Sequence, residues 1–218
     1  MSRPMVRLGA GELAMGEGGR CSLELPEAGA AVQLRGRCGV TDSERSRLVL
    51  LRQVHGAGVV VDPAGGEEAD AMVVRRGGRS PALRVADCLP VLAVTADHLA
   101  AAHAGWRGLA AGVAAGLLRA LPDPPGALVL GPSICGSCYR VGQEVRDAVS
   151  VFTDPEAHPP GRLDLAAAAL DQLEAAGLRA DVPVYHIDYC TLCGGAGLFS
   201  YRGGDCRGRN HIWLEEFP

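Results

Sequence analysis

Two neighbouring segments dominate the interpretation of the chain: Val85-Ala-Asp-Cys-Leu-Pro90 and Ala101-Ala-His-Ala-Gly-Trp-Arg-Gly108. They place Cys88 and His103 at the edges of apolar runs, where strand boundaries are expected. A third residue of this kind, His55, lies upstream where another strand-like run meets a glycine. Two imidazoles and one thiolate form a plausible three-ligand metal site. Such a site leaves one coordination position open, as in catalytic zinc centres.

Working outward, the other apolar runs predict many short strands and few helices. Strands are predicted over residues 31–35, 48–54, 58–61, 69–74, 82–85, 91–95, 127–130 and 182–187. Helical spacing of alanine, leucine and valine predicts helices over residues 108–121, 142–152 and 163–176. Because strands and helices do not alternate strictly, we expect a single α+β domain of layered mixed β-sheets with flanking helices.

The composition limits the possible functions. A chain of 218 residues with 48% hydrophobic residues can bury the core of one domain. The net charge of −4 makes nucleic acid an unexpected partner. All 21 basic residues are arginine, which excludes lysine Schiff bases and a Walker-type lysine. Anions must therefore be bound by arginine, backbone amides or helix N-termini.

No targeting signal is expected. The sequence lacks an apolar run of the roughly 20 residues needed to cross a bilayer, and its first residues lack the apolar core of a signal peptide. We therefore expect a cytoplasmic protein that does not contact membranes. In a reducing cytosol, eight cysteines favour metal binding or catalysis over disulfides. Cys21, Cys38 and Cys206 have no suggestive neighbours and are expected to be small core residues.

The pair Cys135-Gly-Ser-Cys138 and Cys190-Thr-Leu-Cys193 has the spacing of a structural zinc site. However, 51 residues with two predicted helices separate the two motifs, which is longer than in a usual zinc ribbon. These cysteines could instead fill a tight corner and pack against a sheet, so a second metal site stays open at this point.

Several arginines could form an anion pocket, although scattered arginines more often lie on a solvated face. They are Arg107, Arg140, Arg202, Arg207 and Arg209.

At these residues the sequence resembles the YfiH-like laccase-domain family, also called multicopper polyphenol oxidoreductase-like proteins. The matching blocks run in family order from about residue 47 to the C-terminus, whereas residues 1–45 match poorly. They are Gln53-Val-His-Gly56, Ala86-Asp-Cys-Leu-Pro90, His103-Ala-Gly-Trp-Arg-Gly108, Gly131-Pro-Ser-Ile134, Cys138-Tyr139, Val141-Gly142, Cys190-Thr191, Phe199-Ser-Tyr-Arg202 and Gly208-Arg209.

The resemblance implies that His55, Cys88 and His103 bind zinc, with copper as a possible alternative. It also implies a purine nucleoside phosphorylase that acts on adenosine, inosine, guanosine and methylthioadenosine, with adenosine deamination as a second activity. The partners would be small-molecule nucleosides and phosphate. The chain's six histidines are too few for the copper centres of a true laccase.

For phosphorolysis, phosphate would attack the anomeric carbon of the ribose. Arg107 and Arg202 are the candidates for phosphate binding, because an arginine fork suits that anion. Asp87 adjoins the candidate ligand Cys88 and could orient a histidine behind the metal, so Cys88 and Asp87 are the candidate catalytic residues. For deamination, an activated water would attack the adenine carbon that bears the amino group.

Three other readings remain open. A cysteine hydrolase would use Cys88 as nucleophile and His103 as base. A blue-copper electron carrier also uses two histidines and one cysteine. A structural zinc protein would close the coordination sphere with a fourth ligand.

Overall fold

The central strands are apolar along their whole length, so they must be covered on both faces. In the computed structural model, which describes residues 5–9, 13, 15–153, 158–195 and 197–217, they lie in the larger of two sheets. The order of that sheet is β1 (Met5–Leu8), β11 (Val184–Ile187), β10 (Ala127–Leu130), β8 (Leu89–Val94), β9 (His98–Ala104), β6 (Ala71–Arg75) and β5 (Val59–Val61). The sheet is mixed: β1, β11 and β10 are mutually parallel, as are β5 and β6, and the other pairs are antiparallel.

The smaller sheet covers one face of the larger one. Its order is β2 (Cys21–Leu25), β3 (Ala30–Arg35), β12 (Asn210–Glu216), β7 (Ser80–Val85) and β4 (Leu48–Leu50). The other face carries the helices α2 (Trp106–Ala110), α3 (Val113–Ala120), α4 (Gln143–Val149) and α5 (Leu165–Ala175). A short helix, α1 (Asp42–Ser46), precedes β4. The result is a helix–sheet–sheet arrangement, as predicted from the sequence.

Strand β8 shows how the layers are built. All six of its residues are buried. Val91 and Ala93 pack in the core beneath the helices, whereas Leu92 and Val94 pack in the core between the two sheets. Because successive side chains of a strand point to opposite faces, an unbroken apolar run supplies both cores.

Most predicted elements differ from the observed ones by one to three residues at an end, and two differ more. The predicted helix over residues 108–121 is divided into α2 and α3, because Gly112 takes the left-handed conformation, with φ of 88°. The strand predicted over residues 48–54 is shorter in the structure. It ends at Leu50, and a loop that carries His55 follows.

The helix predicted over residues 163–176 is α5, which begins two residues later, at Leu165, and ends one residue earlier, at Ala175. The side chain of Asp164 accepts hydrogen bonds from the backbone N–H groups of Ala166 and Ala167, and Gly177 follows the helix with φ of 96°.

The prediction for the isolated cysteines is only partly right. Cys21 is buried, but Cys38 and Cys206 are exposed. Both lie in polar loops where no apolar neighbour in the sequence would have required burial. Among the described helices, none has the length and apolarity required to traverse a bilayer.

Candidate active site

Three separate parts of the fold bring the predicted metal ligands together. His55 lies in the loop after β4, Cys88 in the turn that leads from β7 of the smaller sheet to β8 of the larger one, and His103 near the end of β9. Their ligand atoms all lie within 4.8 Å of one another. The exposure decreases from His55, which is exposed, to Cys88, which is half-buried, and His103, which is buried. The cluster therefore extends from a buried residue of β9 to the protein surface.

The backbone at this cluster is strained. His55 has φ of 61° and Asp87, beside Cys88, has φ of 84°. Side chains other than glycine rarely adopt this left-handed region, and each such residue costs on the order of 1–3 kcal/mol. The surrounding contacts must hold both residues in place.

Asp70, immediately before β6, supplies those contacts for the His55 loop. Its carboxylate accepts hydrogen bonds from the backbone N–H groups of Val54, His55 and Gly56, at 3.2, 2.9 and 2.6 Å. It also lies 2.8 Å from Nδ1 of His103 and is fully buried. Since this contact engages Nδ1 of His103, it leaves Nε2 available for a metal. One carboxylate thus fixes the loop and orients the buried imidazole.

Asp70 was not predicted as a site residue from the sequence. The available signal was a lone carboxylate in an otherwise apolar strand-like run, residues 69–74. A buried acid of this kind requires several hydrogen-bond donors or a positive charge.

The electrostatics of the cluster favour anionic ligand atoms. Burial raises the pKa of the Cys88 thiol, but hydrogen bonds with His103 and His55 outweigh it and lower this pKa to about 7. Burial lowers the pKa of His103, but Asp70 and Cys88 raise it to about 9. Burial raises the pKa of the Asp70 carboxyl, yet His103 and the Gly56 amide hold it below its ordinary value. A thiolate and a buried carboxylate beside two imidazoles provide a suitable environment for a metal cation.

Gly105 leaves room for these ligands. A Cβ atom at this position would lie 2.9 Å from Sγ of Cys88 and 3.6 Å from Cδ2 of His55. Contacts as short as the first essentially never occur, so any side chain here would displace the thiol. With zinc bonds of about 2.0–2.3 Å, ligand atoms in a tetrahedral site lie roughly 3.5 Å apart, which small side-chain rotations can achieve here. The residues present fit a metal with three protein ligands.

The cluster lies in a cleft of about 760 Å³. Its walls include the aromatic residues Trp106, Tyr139 and Tyr201 and a set of arginines. These are Arg84, Arg107, Arg202, Arg207 and Arg209. Four of the five arginines proposed from the sequence therefore reach the cleft, while Arg84 was missed. Arg140 does not line it, but its carbonyl oxygen accepts a hydrogen bond of 3.0 Å from Arg202.

Asp87 has a different role from the one predicted. Its carboxylate accepts hydrogen bonds from Oγ1 of Thr191 at 2.6 Å and from the backbone N–H of Arg202 at 2.7 Å. The carboxylate beside the site histidine is that of Asp70. Asp87 instead fixes the segment that carries Arg202 against the turn that carries Cys88.

The Arg202 side chain is directed across the cleft wall. Its guanidinium carbon lies 5.0 Å from the centre of the Tyr139 ring. Arg107 stacks on its neighbour Trp106 at 4.5 Å. Cation–π contacts of this kind hold a guanidinium in place while its N–H groups stay available to an anion.

Comparison with known proteins identifies the family. The family model described as "Multi-copper polyphenol oxidoreductase laccase" matches residues 29–215. The chain belongs to this family. Within it, a relative from Streptomyces coelicolor named purine nucleoside phosphorylase SCO2081 is 38% identical over 191 residues, 78% of this chain and 76% of that protein. The Escherichia coli K12 protein named purine nucleoside phosphorylase YfiH is 38% identical over 182 residues, 78% of this chain and 74% of its own length.

The fold is shared with solved structures of the family. The crystal structure of Neisseria meningitidis protein NMB0706 superimposes with a TM-score of 0.77 at 28% identity. The superimposed region covers 91% of this chain and 99% of the Neisseria meningitidis chain. The predicted α+β architecture of layered mixed sheets, and the resemblance to YfiH-like proteins, are confirmed.

Proposed function

We propose that this chain is a zinc-dependent purine nucleoside phosphorylase that acts on adenosine, inosine, guanosine and methylthioadenosine, with adenosine deaminase activity. The observation that carries the proposal is the combination of an open three-ligand cluster and several arginines in one cleft. The relatives named purine nucleoside phosphorylase support the same assignment.

The cleft suits a nucleoside together with phosphate. Its volume of about 760 Å³ lies within the range of small-molecule sites. Arginine binds phosphate with paired N–H donors, and here Arg107 and Arg202 are exposed on the cleft walls. The rings of Trp106 and Tyr201 offer apolar faces on which a purine can stack. Each part of the substrate pair thus has a matching surface.

In phosphorolysis, a phosphate oxygen forms a bond to the anomeric carbon while the bond from that carbon to the purine nitrogen breaks. The products are ribose 1-phosphate and the free base, which takes up a proton. In this scheme Arg107 and Arg202 hold the phosphate near the anomeric carbon. Asp87 positions Arg202 through the backbone N–H of that residue. A fixed attacking group lowers the barrier because little orientational freedom is lost on the way to the transition state.

His55, Cys88 and His103 would hold the zinc ion. A bound zinc ion supplies Lewis-acid polarisation and lowers the pKa of a water ligand to about 7, which deamination requires. Asp70 keeps His103 in the tautomer that leaves Nε2 for the metal. Cys88 lies beside both histidines, which lower the pKa of its thiol to about 7 and so favour the thiolate that binds a metal. We assign Cys88 as a catalytic metal ligand and Asp87 as the residue that positions the phosphate-binding Arg202.

The geometry also favours a second candidate, a cysteine hydrolase. The thiol of Cys88 lies near the imidazole of His103, which the carboxylate of Asp70 orients. This is the order in which a nucleophile, its base and the orienting group occur in covalent catalysis. Alkylation of Cys88 that abolishes activity in fully active metal-free protein would favour it over the phosphorylase.

The test is an incubation of zinc-loaded protein with adenosine, followed by chromatography of the bases and nucleosides. With phosphate present we expect adenine and ribose 1-phosphate, together with inosine and the hypoxanthine formed from it, and without phosphate only inosine. Equal formation of adenine with and without phosphate would refute phosphorolysis. Absence of inosine in both reactions would refute deamination.

The matched variants are Arg107→Ala and Arg119→Ala, since Arg119 is an exposed arginine of α3 away from the cleft. A charged hydrogen bond is worth about 1.5–3 kcal/mol, so loss of the first arginine should raise KM for phosphate about tenfold or more. Arg119→Ala should leave KM unchanged. An equal effect of both substitutions would contradict a phosphate site at Arg107.

A further inference from the structure

A second cluster of metal-ligating side chains lies outside the cleft. The segment with Cys135 and Cys138 follows β10, and the segment with Cys190 and Cys193 follows β11. These strands are parallel neighbours in the larger sheet. Because carboxyl ends of parallel strands meet at one edge of a sheet, two motifs far apart in the sequence come together.

The four sulfur atoms converge. All lie within 4.8 Å of one another, and all four cysteines are free thiols. With Zn–S bonds of about 2.3 Å, sulfur atoms around tetrahedral zinc are roughly 3.8 Å apart. Because the four thiols are free and their separations do not exceed 4.8 Å, their arrangement is compatible with a tetrathiolate site.

Backbone N–H groups from both motifs are directed at the sulfur of Cys190. The N–H groups of Cys135 and Cys193 point at Sγ of Cys190, at 3.3 and 3.4 Å. The N–H of Cys138 donates to the carbonyl of Cys135 at 2.9 Å. Hydrogen bonds from N–H groups to sulfur stabilise a thiolate, so the turn geometry suits coordinated rather than merely packed cysteines.

We propose that Cys135, Cys138, Cys190 and Cys193 bind one structural zinc ion, separate from the metal in the cleft. Four sulfur ligands complete a tetrahedral sphere, so no position stays open for a substrate. The two half-buried cysteines of the first motif and the exposed Cys193 allow the ion to enter from the surface, whereas Cys190 is buried.

The ion would also support the cleft. Thr191, next to Cys190, donates its hydroxyl to Asp87, and Ile134, next to Cys135, donates its N–H to the carbonyl oxygen of Asp87 at 3.0 Å. Tyr139, next to Cys138, lines the cleft. Each cysteine motif is therefore joined directly to the wall that carries Arg202. Loss of the zinc ion should loosen these contacts without removing a ligand of the cleft metal.

The test is metal analysis by mass spectrometry of the full chain after dialysis against metal-free buffer. We expect two zinc ions per wild-type chain, one in Cys88→Ala and one in the double variant Cys135→Ser, Cys138→Ser. Combining all three substitutions should leave none. The control Cys206→Ser changes an exposed cysteine elsewhere and should retain both ions.

Replacement of zinc by cobalt in Cys88→Ala keeps the test decisive if the double variant does not fold. A tetrathiolate site gives intense sulfur-to-cobalt charge-transfer absorption, which should persist in this variant. The proposal is overturned if Cys88→Ala contains no metal and shows no such absorption. It is equally overturned if mass measurement of native protein shows these four cysteines joined as disulfides, or if iron occupies the cluster instead of zinc.

Discussion

The two cysteine-containing clusters of this protein differ in the number and type of their ligand atoms. The cleft cluster has two imidazoles and one thiolate, with His55 exposed to a cavity lined by arginines. The other cluster, here called the edge cluster, has the four sulfurs of Cys135, Cys138, Cys190 and Cys193. Cys135 lines a cavity of about 30 Å³. Open three-ligand sites are typical of catalysis, whereas closed four-ligand sites are structural. A zinc ion would therefore support catalysis at the cleft cluster and folding at the edge cluster.

Backbone strain also distinguishes the two clusters. Among the described non-glycine residues with positive φ, His55 and Asp87 belong to the cleft and none to the edge cluster. Strain at a functional site is held by surrounding contacts, here largely by Asp70. The edge cluster instead uses relaxed turns at the ends of two strands. The following predictions test this difference.

The largest effect is expected from Cys88→Ala. It should remove the cleft metal and lower kcat/KM for phosphorolysis by more than the roughly 100-fold that loss of an outer-shell partner costs. The melting temperature, measured by calorimetry, should fall only by the stabilisation that the bound cleft ion contributes, since Cys88 is only half-buried.

The opposite pattern is expected for Cys135→Ser with Cys138→Ser. That double variant should lower the melting temperature strongly and reduce activity only in part, because binding of a structural metal contributes to folding stability. If both variants lose activity and stability in parallel, the distinction between the two clusters is wrong.

The next effect concerns Asp70→Asn. Asparagine keeps one acceptor oxygen, replaces the other by an NH2 donor and no longer carries the charge that stabilises and orients His103, so zinc affinity should fall about 10- to 100-fold. Competition with a chelating dye measures this affinity. Asp123→Asn is the matched control, because Asp123 contacts His98 in the same manner, at 3.2 Å, away from the cleft. Equal zinc affinity in wild type and Asp70→Asn would refute the role of Asp70.

The smallest effect concerns the decrease in the free energy of unfolding at acid pH. It is measured in metal-free protein, so that release of the metal does not contribute. Burial, together with the charges of Arg45 and Arg84, lowers the pKa of His211 to about 4. The unfolded chain, where this pKa is about 6.5, then binds the proton more readily than the folded chain does. The contribution of neutral His211 to the free energy of unfolding is therefore fully present above about pH 6.5 and is lost as the pH decreases toward about 4.

His211→Phe should remove this dependence. In metal-free protein, wild type should lose about 1–2 kcal/mol more unfolding free energy than the variant between about pH 7.5 and pH 5, after solvent screening is included. Urea unfolding at both pH values gives these free energies. If the two proteins lose the same amount, His211 is not the group that titrates.

Much of the fold could be predicted from short-range patterns. The apolar run at residues 91–95 predicts most of β8, and the helical spacing over residues 163–176 predicts α5. The division into α2 and α3 was not predicted, since an isolated glycine inside a helical pattern is often tolerated. Gly112 breaks the helix because its backbone takes a left-handed conformation there.

The candidate site was predictable only in its reactive side chains. Cys88, His103 and His55 stand out at the ends of apolar runs, but Asp70 and Arg84 reach the site by strand pairing that no local pattern reveals. His103 donates its backbone N–H to the carbonyl of Asp70 at 2.7 Å, a contact between residues on neighbouring strands. The role of Asp87 could not be predicted either, since its partners Thr191 and Arg202 lie more than 100 residues away.

The sequence by itself determined which atoms can bind metal and anions: eight thiols, six imidazoles and arginine as the only basic residue besides histidine. Only the tertiary structure decided how they are grouped. The crossing from β7 to β8 brings Cys88 to the two histidines, and the parallel pairing of β10 with β11 gathers four cysteines that the sequence separates by 51 residues. The physical reason is that coordination depends on distances of a few ångströms, which a chain sets by its sheet topology and not by its spacing.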